Sequence, residues 1–243
     1  MGRSTILQIG PLMPALEVVL HQQYNVLAAE AITAAAPLAD TADASRVQAV
    51  VTSAPAGMPA AWLPQLLALK VISSFGVGLD QLPLDAARAQ GLPVGYTPDV
   101  LNDCVADLAM GLLIDGARRI AAADRFVRRG DWLQRRYPLT TRVSGKRLGI
   151  VGLGRIGQAV ARRAAGFDMD IAYTRRSAAE GVVWCYGPSV LALVRWADFL
   201  VLTVAGGDGT RQLVTAEVLR ALGPEGLLVN VARGSVVDEA ALI

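Results

Sequence analysis

Three glycines are spaced as a dinucleotide diphosphate requires. Gly152, Gly154 and Gly157 directly follow the apolar run 148–151, and the helical pattern QAVARRAAG continues from them. In such a strand–turn–helix the first glycine permits a tight turn, the second lets the backbone approach the diphosphate, and the third lets helix and strand pack closely. The helix N-terminus favours the anion through unpaired N–H groups and its positive dipole end. We therefore predict a dinucleotide-binding turn; a purely structural turn is the alternative.

The residues after the next strand indicate which dinucleotide is bound. The strand expected at Asp170–Thr174 is followed by Arg175, Arg176 and Ser177. No acidic residue comes before Glu180, whereas an NAD site usually places one about 20 residues after the glycines, to accept from the ribose 2′-OH. Two guanidinium groups and a hydroxyl instead suit a 2′-phosphate. We therefore predict NADP(H) in preference to NAD(H); the alternative is that both arginines simply belong to a solvated loop.

Short apolar strands alternate with helical patterns along the chain, which is typical of parallel sheets with helices on both faces. One such series occupies residues 1–98 and a second occupies residues 99–243. They are joined at the turn Tyr96–Asp99, where Pro98 forces the preceding residue out of the helical region. We predict an α/β protein with two Rossmann-like, doubly wound parallel-sheet domains and a cleft between them. Ligands of such folds bind at the carboxyl ends of the strands.

The sequence predicts the structure of four further segments. We expect a helix at Pro59–Ala68, a long helix at Val100–Ile120 and a strand at Val182–Trp184. The segment Ala121–Thr141 is polar and rich in arginine. Because acidic residues are interspersed and the net charge is small, we interpret this segment as a solvated or subunit-interface arm and not as a surface that tracks phosphates.

The composition excludes several classes of protein. The 243 residues are 53% hydrophobic and carry a formal net charge of +2. We therefore expect no nucleic acid as a partner, no metal ion, and no membrane, since no apolar stretch is long enough to cross one. The two cysteines, Cys104 and Cys185, lie far apart, and no secretory signal is recognisable. A reduced, cytoplasmic protein is expected.

Five ordered blocks of sequence resemble the D-isomer-specific 2-hydroxyacid dehydrogenases, and within them the NADP-preferring glyoxylate/hydroxypyruvate and hydroxyphenylpyruvate reductases. The blocks are SSFGVGLDQLPLDAARAQGLPV, TPDVLNDCVADLAMGLL, GIVGLGRIGQAVARR, ADFLVLTVAGGDGTRQLV and NVARGSVVDEAALI. The resemblance implies hydride transfer between NADP(H) and a small 2-oxoacid or D-2-hydroxyacid. It also implies a flavodoxin-like substrate domain at residues 1–98, an NADP-binding Rossmann domain at residues 99–243, and a homodimer formed through residues 100–141.

The resemblance further assigns roles to single residues. It implies that the backbone N–H groups of Val77 and Gly78 hold the substrate carboxylate, a task that suits consecutive amides. It implies that Arg233 binds both the carboxylate and the 2-oxo group, which its fork geometry suits. The positions implied at the cofactor are Leu153, Gly154, Arg155 and Ile156 at the diphosphate, Arg175, Arg176 and Ser177 at the 2′-phosphate, and Val231, Ala232 and Val105 at the nicotinamide. The alternatives are a tight turn alone at Gly78 and a surface arginine at 233.

The sequence also departs from the family pattern. Family chemistry needs a histidine that donates a proton and a glutamate that raises the pKa of that histidine, and in the family both follow the NVARG block. The sequence given ends at Ile243, and its one histidine, His21, is expected in the first helix. We therefore expect the acid–base pair and the last strands of the second domain to lie beyond residue 243. GYTPD replaces the family's TNTPD, and Gln212 stands where histidine is common. The alternatives to a reductase are a non-catalytic NADP-binding regulatory module and an inactive fragment.

Overall fold

The structure of the protein is a computed structural model that describes residues 2–29 and 44–243. The chain divides into two compact units, Met1–Val100 and Leu101–Ile243. In the described ranges, no helix is long and apolar enough to cross a membrane.

The described part of the first unit contains a five-stranded parallel sheet. Its strands are β1 (Thr5–Ile9), β2 (Asn25–Ala29), β3 (Val47–Ser53), β4 (Val71–Phe75) and β5 (Val94–Gly95), and the helices are α1 (Pro14–Gln23) and α2 (Leu84–Ala89). The spatial order β2-β1-β3-β4-β5 is that of flavodoxin-like sheets. Side chains of Ile9, Val50 and Ile72 on one sheet face pack with Trp62 and Leu63 into a buried core.

The second unit, which is described throughout, contains another five-stranded parallel sheet. Its strands are β6 (Arg147–Val151), β7 (Asp170–Thr174), β8 (Cys185–Tyr186), β9 (Phe199–Leu202) and β10 (Leu227–Asn230). Its helices are α3 (Asn102–Arg118), α4 (Ile120–Arg128), α5 (Arg155–Ala165), α6 (Val190–Trp196), α7 (Ala216–Leu222) and α8 (Glu239–Leu242). The order β10-β9-β6-β7-β8 is the Rossmann arrangement, whose switch point lies between β6 and β9.

Small residues let α3 pack closely into the core of the second unit. Ala106, Ala109 and Leu113 are fully buried there. A Cβ atom on Gly116 would overlap Cδ1 of Leu227, so glycine lets this leucine side chain of β10 pack directly against the helix. Arg163 of α5 also binds α3, because its guanidinium contacts the carboxylates of Asp103 and Asp107 at 3.1 and 2.6 Å. α3 is thus an integral part of the second unit.

Two parallel sheets flanked by helices confirm the predicted α/β, doubly wound fold. The assignment of residues 1–98 to a substrate domain and of residues 99–243 to a cofactor domain stays a prediction. Two predicted elements are wrong in detail. The segment Pro59–Ala68 forms a 3₁₀ helix at Ala60–Gln65, and the proline inside it has no N–H for an α-helical hydrogen bond. The strand expected at Val182–Trp184 lies at Cys185–Tyr186 instead, where it pairs with β7.

The helix expected at Val100–Ile120 is shorter in the structure, while the interpretation of Ala121–Thr141 as an arm stays a prediction. α3 ends at Arg118 because Arg119 adopts a left-handed conformation, with φ of +52°. The chain then begins α4, which occupies the first part of the segment expected to be an arm. α4 is amphipathic, and its Phe126 is buried against the ring of Tyr137 with 5.2 Å between ring centroids.

Candidate functional site

The strands of the second sheet that carry predicted site residues end level with one another. Val151 of β6 pairs with both Thr174 of β7 and Leu202 of β9. Leu202 pairs in turn with Asn230 of β10. Since all these strands are parallel, the segments that follow them emerge at one edge of the sheet. That edge therefore carries the glycine turn, the residues 175–177 and the segment 231–233.

The glycine turn leaves room above its backbone. Gly152 has φ of +100°, and a Cβ atom on it would lie 2.8 Å from the backbone nitrogen of Val204. A Cβ atom on Gly157 would lie 2.2 Å from the carbonyl oxygen of Gly152, so helix and turn touch at this point. A Cβ atom on Gly154 would meet nothing within 4 Å. The first and third glycines therefore serve close packing, and the second leaves an open approach to the backbone.

The N-terminus of α5 opens into that space. The first N–H groups of any α-helix lack an intrahelical acceptor, and Gly154, the N-cap residue, has no side chain that could accept from them. Leu153 is buried beneath the turn, whereas Arg155 is exposed and Ile156 is half-buried. An 11-residue helix with an uncapped N-terminus suits a diphosphate. The turn thus fits the predicted dinucleotide, with its backbone N–H groups as the donors.

A threonine that the motif does not include supports this turn. The hydroxyl of Thr203, the first residue after β9, donates a hydrogen bond to the carbonyl oxygen of Gly152. The backbone N–H of Thr203 donates to Val151 at 2.9 Å. The turn is therefore fixed to the neighbouring strand across the switch point. Its sequence signal is weak, because a polar residue at the end of a buried strand is common.

Arg175, Arg176 and Ser177 are exposed immediately after β7. The Tyr186 hydroxyl donates to the carbonyl oxygen of Arg175 at 3.3 Å, which ties the loop backbone to β8. Among the described residues, neither guanidinium group forms an ion pair with an acidic side chain. Two positive charges on an anchored loop are therefore available to an anion at the same edge as the glycine turn.

Arg233 lies in the segment that follows β10, and Asn230 shapes that segment. The Asn230 side chain accepts from the N–H of Ala232 at 2.9 Å and donates to the carbonyl oxygen of Arg233 at 2.8 Å. Val231 continues the sheet ladder, because its N–H donates to Leu202 at 3.2 Å. The Arg233 side chain is half-buried, and its Nη1 donates to the carbonyl oxygen of Ala232 at 3.0 Å. The sequence motifs do not include Asn230, although asparagine at a strand end favours such a turn.

Val77 and Gly78 belong to the first unit, where they follow the carboxyl end of β4. Both are half-buried, and in the described part of the chain neither backbone N–H donates a hydrogen bond. Two successive amides whose N–H groups donate to no described acceptor could serve a carboxylate, as the resemblance implies. Gly76, just before them, has φ of +147° and therefore requires glycine.

Three other positions are placed as follows. Val105 lies in the first turn of α3 and is half-buried, and its predicted contact with the nicotinamide stays a prediction. His21 is exposed in the last turn of α1. Gln212 is exposed in a left-handed conformation with φ of +48°, and its N–H donates to Ser235 at 2.7 Å.

An ion pair at the opposite, amino end of the second sheet shifts the pKa of its members. The Asp198 carboxylate accepts from the guanidinium of Arg147 at 2.8 Å and from the backbone N–H of Arg147 at 2.9 Å. The hydrogen bond from the Arg147 side chain is the largest cause that lowers the pKa of Asp198. The pair joins β6 to β9 and therefore contributes to the frame that carries the glycine turn.

Comparison with known proteins identifies relatives over nearly the whole chain. A family model described as D-isomer specific 2-hydroxyacid dehydrogenase, NAD binding domain, matches residues 110–243. Glyoxylate/hydroxypyruvate reductase A of Arabidopsis thaliana is 41% identical over 238 residues, which are 98% of this chain and 76% of that protein. Hydroxyphenylpyruvate reductase of Plectranthus scutellarioides is 45% identical over 200 residues, which are 82% of this chain and 64% of that protein.

A solved structure matches both the fold and the sequence. The NADPH-dependent glyoxylate/hydroxypyruvate reductase of Sinorhizobium meliloti, in complex with NADP and malonate, superimposes with a TM-score of 0.90 at 37% identity. The match covers 99% of this chain and 75% of that one. The motif resemblance is thus confirmed over both units, and the chain belongs to the D-isomer specific 2-hydroxyacid dehydrogenases, a family of oxidoreductases.

Proposed function

We propose that this chain binds NADP(H) and a small 2-oxoacid and serves the reduction of the oxoacid to a D-2-hydroxyacid. The observation that carries the proposal is the edge of the second sheet, where an uncapped helix N-terminus, two exposed arginines and Arg233 emerge together. The names of the relatives support the same chemistry, since they are reductases of glyoxylate, hydroxypyruvate and hydroxyphenylpyruvate.

Each group has a separate role in this proposal. The N–H groups of Val77 and Gly78 donate to the carboxylate of the oxoacid, and the Arg233 guanidinium donates to the carboxylate and the 2-oxo oxygen. When bound, the nicotinamide supplies a hydride to the carbonyl carbon. The positive charge of Arg233 favours that step because it stabilises the negative charge that develops on the 2-oxo oxygen. The 2-oxo oxygen also takes up a proton to become the hydroxyl, and we assign that proton to the histidine–glutamate pair that the family resemblance implies. We assign no proton transfer to His21, which is exposed on α1.

The preference for NADP(H) over NAD(H) rests on the loop after β7. Arg175 and Arg176 supply two positive charges and Ser177 a hydroxyl, while the nearest following acidic residue is Glu180. A carboxylate at this position would instead repel the 2′-phosphate of NADP. The NADP complex of the Sinorhizobium meliloti enzyme, 37% identical, supports the same preference.

We further propose a cytoplasmic homodimer that pairs through residues 100–141. Large apolar side chains are exposed along this segment: Leu108, Leu112, Ile120, Val127, Trp132, Leu133 and Leu139. An exposed apolar surface of this kind is typical of a protein interface. The two cysteines, Cys104 and Cys185, are both free and exposed, which suits a reducing compartment.

One experiment separates the reductase from a non-catalytic NADP-binding module. NADPH and NADH are first titrated against the purified protein. The NADPH-loaded protein is then titrated with oxamate, an unreactive analogue of a small 2-oxoacid. Oxidation of NADPH is finally followed after hydroxypyruvate or glyoxylate is added. The proposal expects tighter binding of NADPH than of NADH, binding of oxamate and, in a protein that carries the family's histidine and glutamate, oxidation of NADPH. Binding of both ligands without oxidation in a protein that carries that pair would support the regulatory module, and equal binding of NADH and NADPH would contradict the cofactor preference.

A further inference from the structure

Thr97 forms two hydrogen bonds with the residue that precedes the predicted carboxylate-binding amides. The N–H of Thr97 donates to the carbonyl oxygen of Gly76 at 3.0 Å. The N–H of Gly76 donates to the Thr97 hydroxyl oxygen at 3.0 Å, across 21 positions of sequence. Thr97 therefore binds both the N–H and the carbonyl oxygen of Gly76. Only the hydrogen bond to the Thr97 hydroxyl depends on the threonine side chain.

Gly76 is held on its other side as well. A Cβ atom on Gly76 would lie 2.6 Å from the Cβ atom of Ala54, so the backbones of the two loops are in close contact. The N–H of Ala54 donates to the carbonyl oxygen of Phe75 at 3.2 Å, which continues the pairing of β3 with β4. Gly76 thus lies between Ala54 and Thr97, and it shares a peptide bond with Val77, whose N–H is the first of the two predicted donors.

We propose that Thr97 is a positioning residue for oxoacid binding, whose hydroxyl holds Gly76 so that the N–H groups of Val77 and Gly78 converge on the carboxylate. The inference rests on the proposed function, because it takes this loop as the carboxylate site. Thr97 itself does not touch the substrate. Its hydroxyl already holds the loop in place in the free protein. The loop therefore loses less conformational entropy when the oxoacid binds.

The test compares two substitutions of Thr97. Thr97→Val keeps the shape of the side chain and removes the hydroxyl, whereas Thr97→Ser keeps the hydroxyl. We expect Thr97→Val to weaken oxamate binding by the NADPH-loaded protein about tenfold, the size of effect typical of one hydrogen bond. Thr97→Ser should restore the original affinity. NADPH affinity should not change in either variant, since the cofactor residues belong to the second unit.

Thr5→Val is the matched control, because it removes a hydroxyl that also accepts a hydrogen bond in the first unit, from Asn25 at the amino end of β1. It should leave oxamate binding unchanged. Amide hydrogen exchange at Gly76 supplies a second readout, and it should accelerate in Thr97→Val alone, because only that substitution removes the acceptor of the Gly76 N–H. Unchanged exchange at Gly76 would contradict the proposal that the hydroxyl holds this residue.

Three results would overturn the proposal, and each contradicts a different part of it. If the original protein binds oxamate and Thr97→Val binds it equally well, the positioning role is wrong and the proposed function stands. If the original protein binds NADPH without binding oxamate, the carboxylate site itself is wrong, and the role of Thr97 is wrong with it. Weak oxamate binding by both the valine and the serine variants would also contradict a role of the hydroxyl.

Discussion

Arg233 is the side chain that we propose to bind the substrate. Its backbone is shaped by Asn230, and its half-buried side chain emerges from the segment after β10. We expect Arg233→Lys to weaken oxamate binding by the NADPH-loaded protein at least about tenfold, because lysine keeps the charge and loses the planar fork that holds two oxygen atoms.

Isothermal titration calorimetry with oxamate checks this expectation. Arg220→Lys provides the matched control, since Arg220 is exposed on α7. It should bind oxamate as the original protein does. An unchanged oxamate affinity in Arg233→Lys would remove Arg233 from the substrate site, and a parallel loss of NADPH binding would indicate general damage to the second unit.

The arginine pair after β7 gives a second prediction at the level of residues. Replacing Arg175 and Arg176 together with alanine should weaken NADPH binding by about tenfold or more and leave NADH binding nearly unchanged, because only NADPH carries the 2′-phosphate. Fluorescence titration with both dinucleotides measures this. The double substitution of Arg195 and Arg220, two exposed arginines on α6 and α7, removes the same charge and should have no such effect. Equal weakening of both dinucleotides would contradict the assignment.

At the scale of elements, the sequence predicted best where local chemistry determines structure. α5 follows the glycine turn directly, as expected, because the turn fixes its start and an apolar period of 3.6 continues through it. The strand predicted at Val182–Trp184 was wrong in position, because β8 has only two residues and the place of so short a strand depends on its pairing with β7. The break at Arg119 has no glycine or proline to mark it.

The same distinction applies to the candidate site. Motif residues such as Gly154 are recognisable in the sequence because their role depends on their spacing along the chain. Thr97 and Thr203 act on Gly76 and Gly152, which lie 21 and 51 positions away. Such contacts arise only when distant strands pair, so a single sequence does not reveal them.

The ion pair between β6 and β9 makes a prediction about pH. The lowered pKa of Asp198 means that its carboxylate stabilises the fold above its usual value of 3.8, and that this contribution is lost as the pH falls through the lower folded-state value. Asp198→Asn should therefore reduce the free energy of unfolding at pH 7 by about 1 kcal/mol or less, since the Arg147 side chain is 45% exposed and solvent screens the pair.

Urea unfolding at neutral and acidic pH measures the difference between the two proteins, which should shrink at acidic pH. Asp85→Asn is the control, because the Asp85 side chain is fully exposed in its pair with Arg88. It should change the unfolding midpoint little at either pH. An Asp198→Asn difference that stays constant with pH would contradict an ionic contribution.

At the scale of the whole molecule, the exposed apolar side chains of the segment 100–141 predict self-association. Leu133 and Leu139 are 73% and 100% exposed, so a charge at these positions costs the isolated chain little. We expect Leu133→Asp combined with Leu139→Asp to convert a dimer into a monomer, because charged groups are costly to bury in an interface. Light scattering after size-exclusion chromatography measures the mass. Val183→Asp, at a residue 91% exposed outside the segment, should leave the dimer intact. A monomeric original protein would contradict the proposal.

The burial of α3 in the second unit determines where the chain tolerates cutting. The matched family model starts at residue 110, in the middle of this helix. A fragment that starts there would lose Ala106 and Ala109, which are fully buried, and also Asp103 and Asp107, which bind Arg163. A cofactor-binding fragment intended for expression or crystallisation should therefore begin no later than Leu101, so that the whole helix is retained.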